Sequence, residues 1–238
     1  MNNTYLDLLA YFGIGGAHPG GFPFTQRIFQ DERISPADSV LEIGCGTGQT
    51  AAFIAQKYSC RVTAVDHHPI MIEKAKERFK DSALRVHVIE GDAQNLPFQD
   101  HSFDFILAES VISFMDISRT LQELFRLVKR DGRLVMIEMT AEEPLTQNVQ
   151  RKVGSLYGIH EVLSEQEWKM KLQETGFTKI DMLPAPSERI ETAIADMNPS
   201  ENISDELYDR WDEHNAFLSQ TDVPLGFRAF RCGFHTQK

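Results

Sequence analysis

From Ser35 onward, short contiguous apolar runs alternate with stretches in which apolar residues recur every three or four positions. Runs of the first kind fit strands buried on both faces, and the second kind fits helices covering them. The succession predicts an α/β fold, a doubly wound, mostly parallel sheet of seven strands with helices on both faces. Val40–Ile43, Arg61–Val65, Leu84–Ile89, Phe103–Leu107 and Leu134–Glu138 read as the first five strands. The helix between the first two covers Thr50 to Tyr58, and the next opens on Pro69 and repeats Ile72, Ala75 and Phe79 on one face. Ile117, Leu121, Leu124, Phe125 and Val128 share a face of the helix before the fifth strand. A capping box at Ser164-Glu165-Gln166-Glu167 starts a further helix that Gly176 ends, and Lys179–Leu183 follows as the sixth strand. Phe227–Phe234 alternates and is expected to return as the last strand.

Two segments break the rhythm. Residues 1–34 contain Gly13-Ile14-Gly15-Gly16-Ala17-His18-Pro19-Gly20-Gly21, too glycine-rich for a regular element. Pro184 to Pro224 is rich in Pro, Ser, Asn and acids, with one helix expected from Ser204-Asp205-Glu206 that carries Leu207, Trp211, His214 and Leu218 on one stripe. The expected organisation is a single domain over 1–238. It comprises an N-terminal lid segment (1–34), the alternating core (35–183), an insertion over that core (184–223) and the last strand (224–238). Tyr11, Phe12, Phe22, Phe24, Trp211 and Phe217 supply apolar surface for such a cover.

The chain has 238 residues and a net charge of −11, which disfavours general affinity for nucleic-acid phosphates. No apolar run approaches the roughly 20 residues of a membrane span, and the first residues lack a basic signal-peptide region. Cys45, Cys60 and Cys232 cannot all pair with one another, so a reducing cytoplasm is the expected location.

The first strand runs into Glu42-Ile43-Gly44-Cys45-Gly46-Thr47-Gly48, a turn that lets a ligand approach the backbone, and a nucleoside-bearing cofactor is implied. A dinucleotide fingerprint would need its third glycine at position 49, where the chain has Gln49, and no Lys-Ser/Thr tail marks a P-loop. Asp66, ending the second strand, is placed to accept from ribose hydroxyls in either cofactor class.

With Gly91-Asp92-Ala93-Gln94-Asn95-Leu96-Pro97-Phe98 and Ser102-Phe103-Asp104 added in the same order, the chain resembles the class I S-adenosylmethionine-dependent methyltransferases over roughly Ser35 to Leu183. The resemblance implies a Rossmann-like fold, S-adenosyl-L-methionine as methyl donor and S-adenosyl-L-homocysteine as product. It puts the backbone of Gly44, Cys45, Gly46 and Gly48 beside the methionine portion, Asp66 on both ribose hydroxyls and Asp92 on the adenine amino group. His67 would lie against the adenine ring, Ala108 and Glu109 would border the amino-acid end, and Glu42 and Ala93 complete the cofactor-binding set. Val128-Lys129-Arg130-Asp131-Gly132 keeps one glycine of the family's turn before the fifth strand, and Ser110 to Met115 lacks the histidines that many relatives carry there.

Methyl transfer needs alignment behind an electrophilic methyl and exclusion of water more than a nucleophilic side chain. A base helps with hydroxyl or ammonium acceptors, and His18, in the glycine-rich segment, is the candidate catalytic residue. His214 reads as a packing histidine, His160 as a cap or surface residue and Cys45 as a small apolar residue. His67 and His68 are adjacent and do not suggest a metal, so none is expected. The expected partner is a small-molecule methyl acceptor, without nucleic acid or membrane, for a monomer or homodimer. The rival readings are a non-catalytic S-adenosylmethionine-binding regulator and, disfavoured by Gln49 and Asp92, a nicotinamide-dependent oxidoreductase.

Overall fold

Burial on both faces of the first strand shows how the sheet is sandwiched. In β1 (Ser39–Ile43), Val40 packs with one buried cluster and Leu41 and Ile43 with another. The structure, a computed structural model, describes residues 4–184, 196–220 and 223–235. Among these, β1, β2 (Arg61–Asp66), β3 (Val86–Glu90), β4 (Phe103–Glu109), β5 (Val128–Ala141), β6 (Lys179–Leu183) and β7 (Leu225–Gly233) form one sheet. Its order is β3-β2-β1-β4-β5-β7-β6. The first five pair in parallel, and β7 runs antiparallel between β5 and β6.

Helices α1 (Tyr5–Phe12), α2 (Gly21–Ile28), α3 (Gln49–Tyr58), α4 (Pro69–Phe79), α5 (Ile117–Leu127), α6 (Gln147–Tyr157), α7 (Glu165–Thr175) and α8 (Asp205–Leu218) complete the description. Phe24, Ile54 and Ala75 bring α2, α3 and α4 onto one face of the sheet. Leu121, Leu124, Trp168 and Leu172 bring α5 and α7 onto the other. The doubly wound expectation therefore holds, with β3 and β6 at the edges.

Several elements depart from the sequence reading. β5 begins at Val128, directly where α5 ends, and it is far longer than Leu134–Glu138. Phe103 pairs with Val128 and Phe105 with Arg133, so residues 129–132 loop out opposite Asp104. A Cβ on Gly132 would come within 2.9 Å of the Asp104 carbonyl oxygen, which explains the one glycine kept in that turn. α1 and α2 flank the glycine run, and α6 was not anticipated. On α8 the inward stripe includes Leu207 and Phe217; Leu218 is 53% exposed.

The end of α1 and the turn after it, residues 11–15, are hydrogen-bonded to residues 196–200 around an isolated antiparallel bridge between Ile14 and Met197. Gly15 donates its N–H to Asp196, Asn198 to Gly13 and Ser200 to Tyr11. The Asp196 carboxylate then accepts from Thr47 Oγ1 at 2.9 Å, and from Arg78 of α4. A Cβ on Gly15 would lie 2.3 Å from Asp196 Oδ2, so the contact requires glycine. This strap ties both segments outside the alternating core to the turn after β1. Within the expected insertion, residues 185–195 and 221–222 lie outside the described residues. Asp196→Ala is expected to weaken the strap locally by about 1–2 kcal/mol, discounted for partial exposure. Faster amide exchange in residues 11–15, with unchanged exchange in β1 and β4, is the readout.

Candidate functional site

The sheet's winding reverses between β1 and β4, and ligands of open α/β sheets bind outside the carboxyl ends of strands at such a point. A cavity of about 440 Å³ opens there. Its wall is built from the ends of four strands: Glu42, Gly44, Cys45 and Gly46 after β1, Asp66 and His67 after β2, Asp92 and Ala93 after β3, and Glu109 after β4. His18 closes it from the N-terminal segment. Ten of the expected site residues thus line one cavity.

Gly48 and Ala108 are not among the residues that line it. Gly48 is in the left-handed region before α3, where a Cβ would come within 2.7 Å of Phe79, so glycine there serves the packing of α3 against α4. Ala108 is fully buried and packs with the cluster under α5 and α7. None of the six aromatic residues expected as cover lines the cavity; Leu6, Leu9, Ile14, Gly16 and Ala17 do so instead. Phe24 is buried against Phe227, and Phe22 packs edge-on against Phe53.

The acids of the wall differ in their commitments. Glu42 is 3% exposed and its Oε2 has no hydrogen-bond partner. Burial, reinforced by the nearby Glu109 and Asp66 carboxylates, pushes its carboxyl well above the ordinary range. Asp66 accepts the N–H of Gly46 at 2.9 Å on one oxygen and that of His68 at 2.8 Å on the other. Each carboxylate oxygen can accept twice, so both keep capacity for two ligand hydroxyls. Asp92 accepts the backbone N–H of Gln94, which, outweighing partial burial, holds its carboxyl below the usual range. Glu109 accepts from Thr25 at 2.6 Å and Thr50 at 2.9 Å.

His18 lies 3.0 Å from Thr25 Oγ1 through Nε2 and 3.1 Å from the Pro19 carbonyl through Nδ1. The carbonyl can only accept, so Nδ1 carries a hydrogen. The single Thr25 hydroxyl proton can serve either Glu109 or His18 Nε2; with a proton on Nε2, the chain His18–Thr25–Glu109 is satisfied end to end. His214 meets the Tyr157 hydroxyl at 3.0 Å beside Tyr5, the packing role expected for it. Burial, followed by repulsion from Glu42 and Asp66, pushes the Cys45 thiol well up, so it is not a nucleophile at neutral pH.

The sequence reading missed the floor of the cavity. Ser110, Val111, Phe114 and Met115 line it, and Val111 fills the space that a Cβ on Gly44 would need, at 2.2 Å. A fully buried carboxylate holds this loop: Glu138 accepts from the backbone of Val111, Ile112 and Ser113 and from the Ser113 hydroxyl at 2.6 Å. Burial pushes the Glu138 carboxyl up to about 7 against the pull of those donors.

The residues fit an adenosyl sulfonium ligand. Gly46 is left-handed, and the nearest atoms to a Cβ there are 3.9 Å away on Met71, so a side chain would enter space on the cavity side that glycine leaves open. The unpartnered Glu42 oxygen suits an ammonium group, and the free lone pairs of Asp66 suit a pair of hydroxyls.

Comparison with known proteins agrees with this geometry. Residues 40–132 match the family model described as a methyltransferase domain. An uncharacterised methyltransferase of Bacillus subtilis, YodH, is 36% identical over 229 residues, covering 96% of this chain and 98% of that protein. A demethylmenaquinone methyltransferase of Thermotoga maritima is 38% identical over 125 residues, 52% of this chain and 51% of that one. Among solved structures, Haemonchus contortus phosphoethanolamine N-methyltransferase 2 in complex with S-adenosyl-L-methionine superposes with a TM-score of 0.76 at 21% identity. That match covers 96% of this chain and 57% of the nematode chain. The [4+2]-cyclase SpnF has a TM-score of 0.73 at 18% identity, over 99% of this chain and 94% of its own.

Proposed function

The chain belongs to the class I S-adenosylmethionine-dependent methyltransferases, and on that premise we propose that it methylates a small molecule held in the cavity under the N-terminal segment. The observation carrying this reading is the convergence of four strand ends on one cavity with uncommitted acceptors at Glu42 and Asp66. S-adenosylmethionine supplies an electrophilic methyl on a sulfonium, and S-adenosylhomocysteine is the product released.

The protein's own residues orient and shield. Asp66, Asp92 and Glu109 make the wall negative, which favours a net cationic donor and disfavours phosphorylated acceptors. Asp66 holds the ribose, Asp92 the adenine amino group, and the backbone from Gly44 to Gly46 flanks the methionine portion. Leu6, Leu9, Ile14 and Phe114 exclude water over the reacting end. His18, which lines the cavity, is the candidate base; its Nε2 faces Thr25 and Glu109, which would stabilise a proton held there. The strap formed by 11–15 and 196–200 acts as the lid.

Incubation with labelled donor and a metabolite extract, followed by mass spectrometry of labelled products, tests the reading and identifies the acceptor. Tight binding of S-adenosylhomocysteine without turnover on any extract would sink methyl transfer and leave a cofactor-binding protein. Asp66→Ala is expected to cost about 1.5–3 kcal/mol of affinity for S-adenosylhomocysteine, measured by calorimetry on a folded variant. Unchanged affinity would remove Asp66 from the site.

A further inference from the structure

His68 occupies the N-cap position of α4 but makes no capping hydrogen bond. Its ring instead reaches α1, where Nε2 lies 3.3 Å from Asp7 Oδ1. The other oxygen of Asp7 is taken by the backbone N–H and hydroxyl of Thr4, both at 2.7 Å. Partial burial opposes ionisation of Asp7, yet these bonds and His68 hold its carboxyl below the ordinary range. An ionised carboxylate only accepts, so Nε2 carries the hydrogen, and Nδ1 of the neutral ring presents a lone pair. That Nδ1 is buried without a hydrogen-bond partner, and the residue lines the cavity beside Leu6, Leu9 and Met71. Buried acceptors are ordinarily paired, so a lone one in a residue that lines the cavity is suited to a ligand donor. The backbone N–H of the same residue donates to Asp66 Oδ1, so the ring stands next to the carboxylate assigned to the ribose. Its neighbour His67, with a side chain 66% exposed, lies with Nδ1 3.9 Å from the same Asp66 oxygen and makes no link to α1 comparable to that of His68.

We propose that His68 is a nucleoside-binding residue whose Nδ1 accepts a hydrogen bond from one ribose hydroxyl, leaving the other hydroxyl to donate to Asp66, while its Nε2–H to Asp7 ties α1 to the occupied site. This rests on the reading of the cavity as an S-adenosylmethionine site. A bound hydroxyl fixes the ring in the orientation that holds Asp7, so occupancy of the cofactor site stiffens the helix that carries Leu6 and Leu9.

Two variants separate the two ends of the ring. His68→Gln can place a donor near the position of Nε2 but has no acceptor at that of Nδ1, whereas His68→Asn keeps a polar atom near Nδ1 and falls short of Asp7. Calorimetric titration of the full chain with S-adenosylhomocysteine and its 2′-deoxy and 3′-deoxy analogues is the test. His68→Gln is expected to bind S-adenosylhomocysteine about tenfold more weakly than the parent. With one deoxy analogue the two proteins should bind alike, because the hydroxyl that donates to Nδ1 is gone. His68→Asn should retain more affinity than His68→Gln but lose the ligand-induced slowing of amide exchange in α1. The proposal is overturned if His68→Gln binds as the parent does, or if its loss is the same for both deoxy analogues. A parent that binds no S-adenosylhomocysteine would overturn the methyltransferase reading itself, a result distinct from either of these.

Discussion

Glu138→Ala is expected to destabilise the protein by about 3–5 kcal/mol, because it strips the acceptor from three backbone N–H groups and a hydroxyl, all of them buried except the part-buried N–H of Val111. The loop from Ser110 to Met115 loses its anchor, and Val111 is released from Gly44. Urea unfolding measures the loss, and a change under 1 kcal/mol would show that the loop holds its shape without the carboxylate. Glu138→Gln keeps one carbonyl acceptor and should fall between parent and Ala. The pH dependence has a definite sign. The folded carboxyl titrates near 7, above the ordinary 4.5, so the folded protein holds this proton more tightly than the unfolded chain. The stabilisation from this group is therefore full below about pH 4.5 and is lost as pH rises toward 7, by about 3 kcal/mol in all. The stability difference between parent and Glu138→Gln should shift across that window; a difference constant with pH would contradict it.

Gly46→Val is expected to abolish measurable binding of S-adenosylhomocysteine, a loss of at least about 100-fold, while the fold survives. The nearest protein atoms to the new Cβ are 3.9 Å away, so no neighbour must move, but the branched side chain enters the space beside the methionine portion. Left-handed backbone strain in a branched residue adds a cost of about 1–3 kcal/mol to stability. Circular dichroism and thermal melting should show a folded, somewhat less stable variant that gives no heat with the ligand. Binding within threefold of the parent would mean that the turn does not cradle the cofactor.

Legibility in the sequence followed how local each cause was. The strands through β4, and β6, are short runs rich in apolar residues between turn residues, so their places were readable within a few positions. Glu42, Asp66 and Asp92 stand at strand ends, and the shared sheet was enough to bring them together. α1 carried a readable signal in the Thr4 to Asp7 capping box, and α6 in Val149, Val153, Leu156 and Tyr157, but the neighbouring glycines and the polar stretch outweighed both. The strap, the Glu138 anchor and the His68–Asp7 link join residues far apart in the chain, and no local spacing announces them. Gly48 carries a role that the motif does not announce: the missing side chain lets α3 pack against Phe79 of α4.

The position of β7 has a consequence for synthesis. β6 finds its only partner strand among the described residues in β7, and β5 is bordered on that side by β7 as well. On the ribosome both strands emerge before their common neighbour has been made, so β5 presents an unpaired edge and β6 has nothing to join. The cofactor half of the sheet, β1 to β4, has its pairings by then. The nascent chain should therefore hold a recognisable nucleoside pocket while it still depends on chaperones to keep its unfinished edge from pairing with other chains.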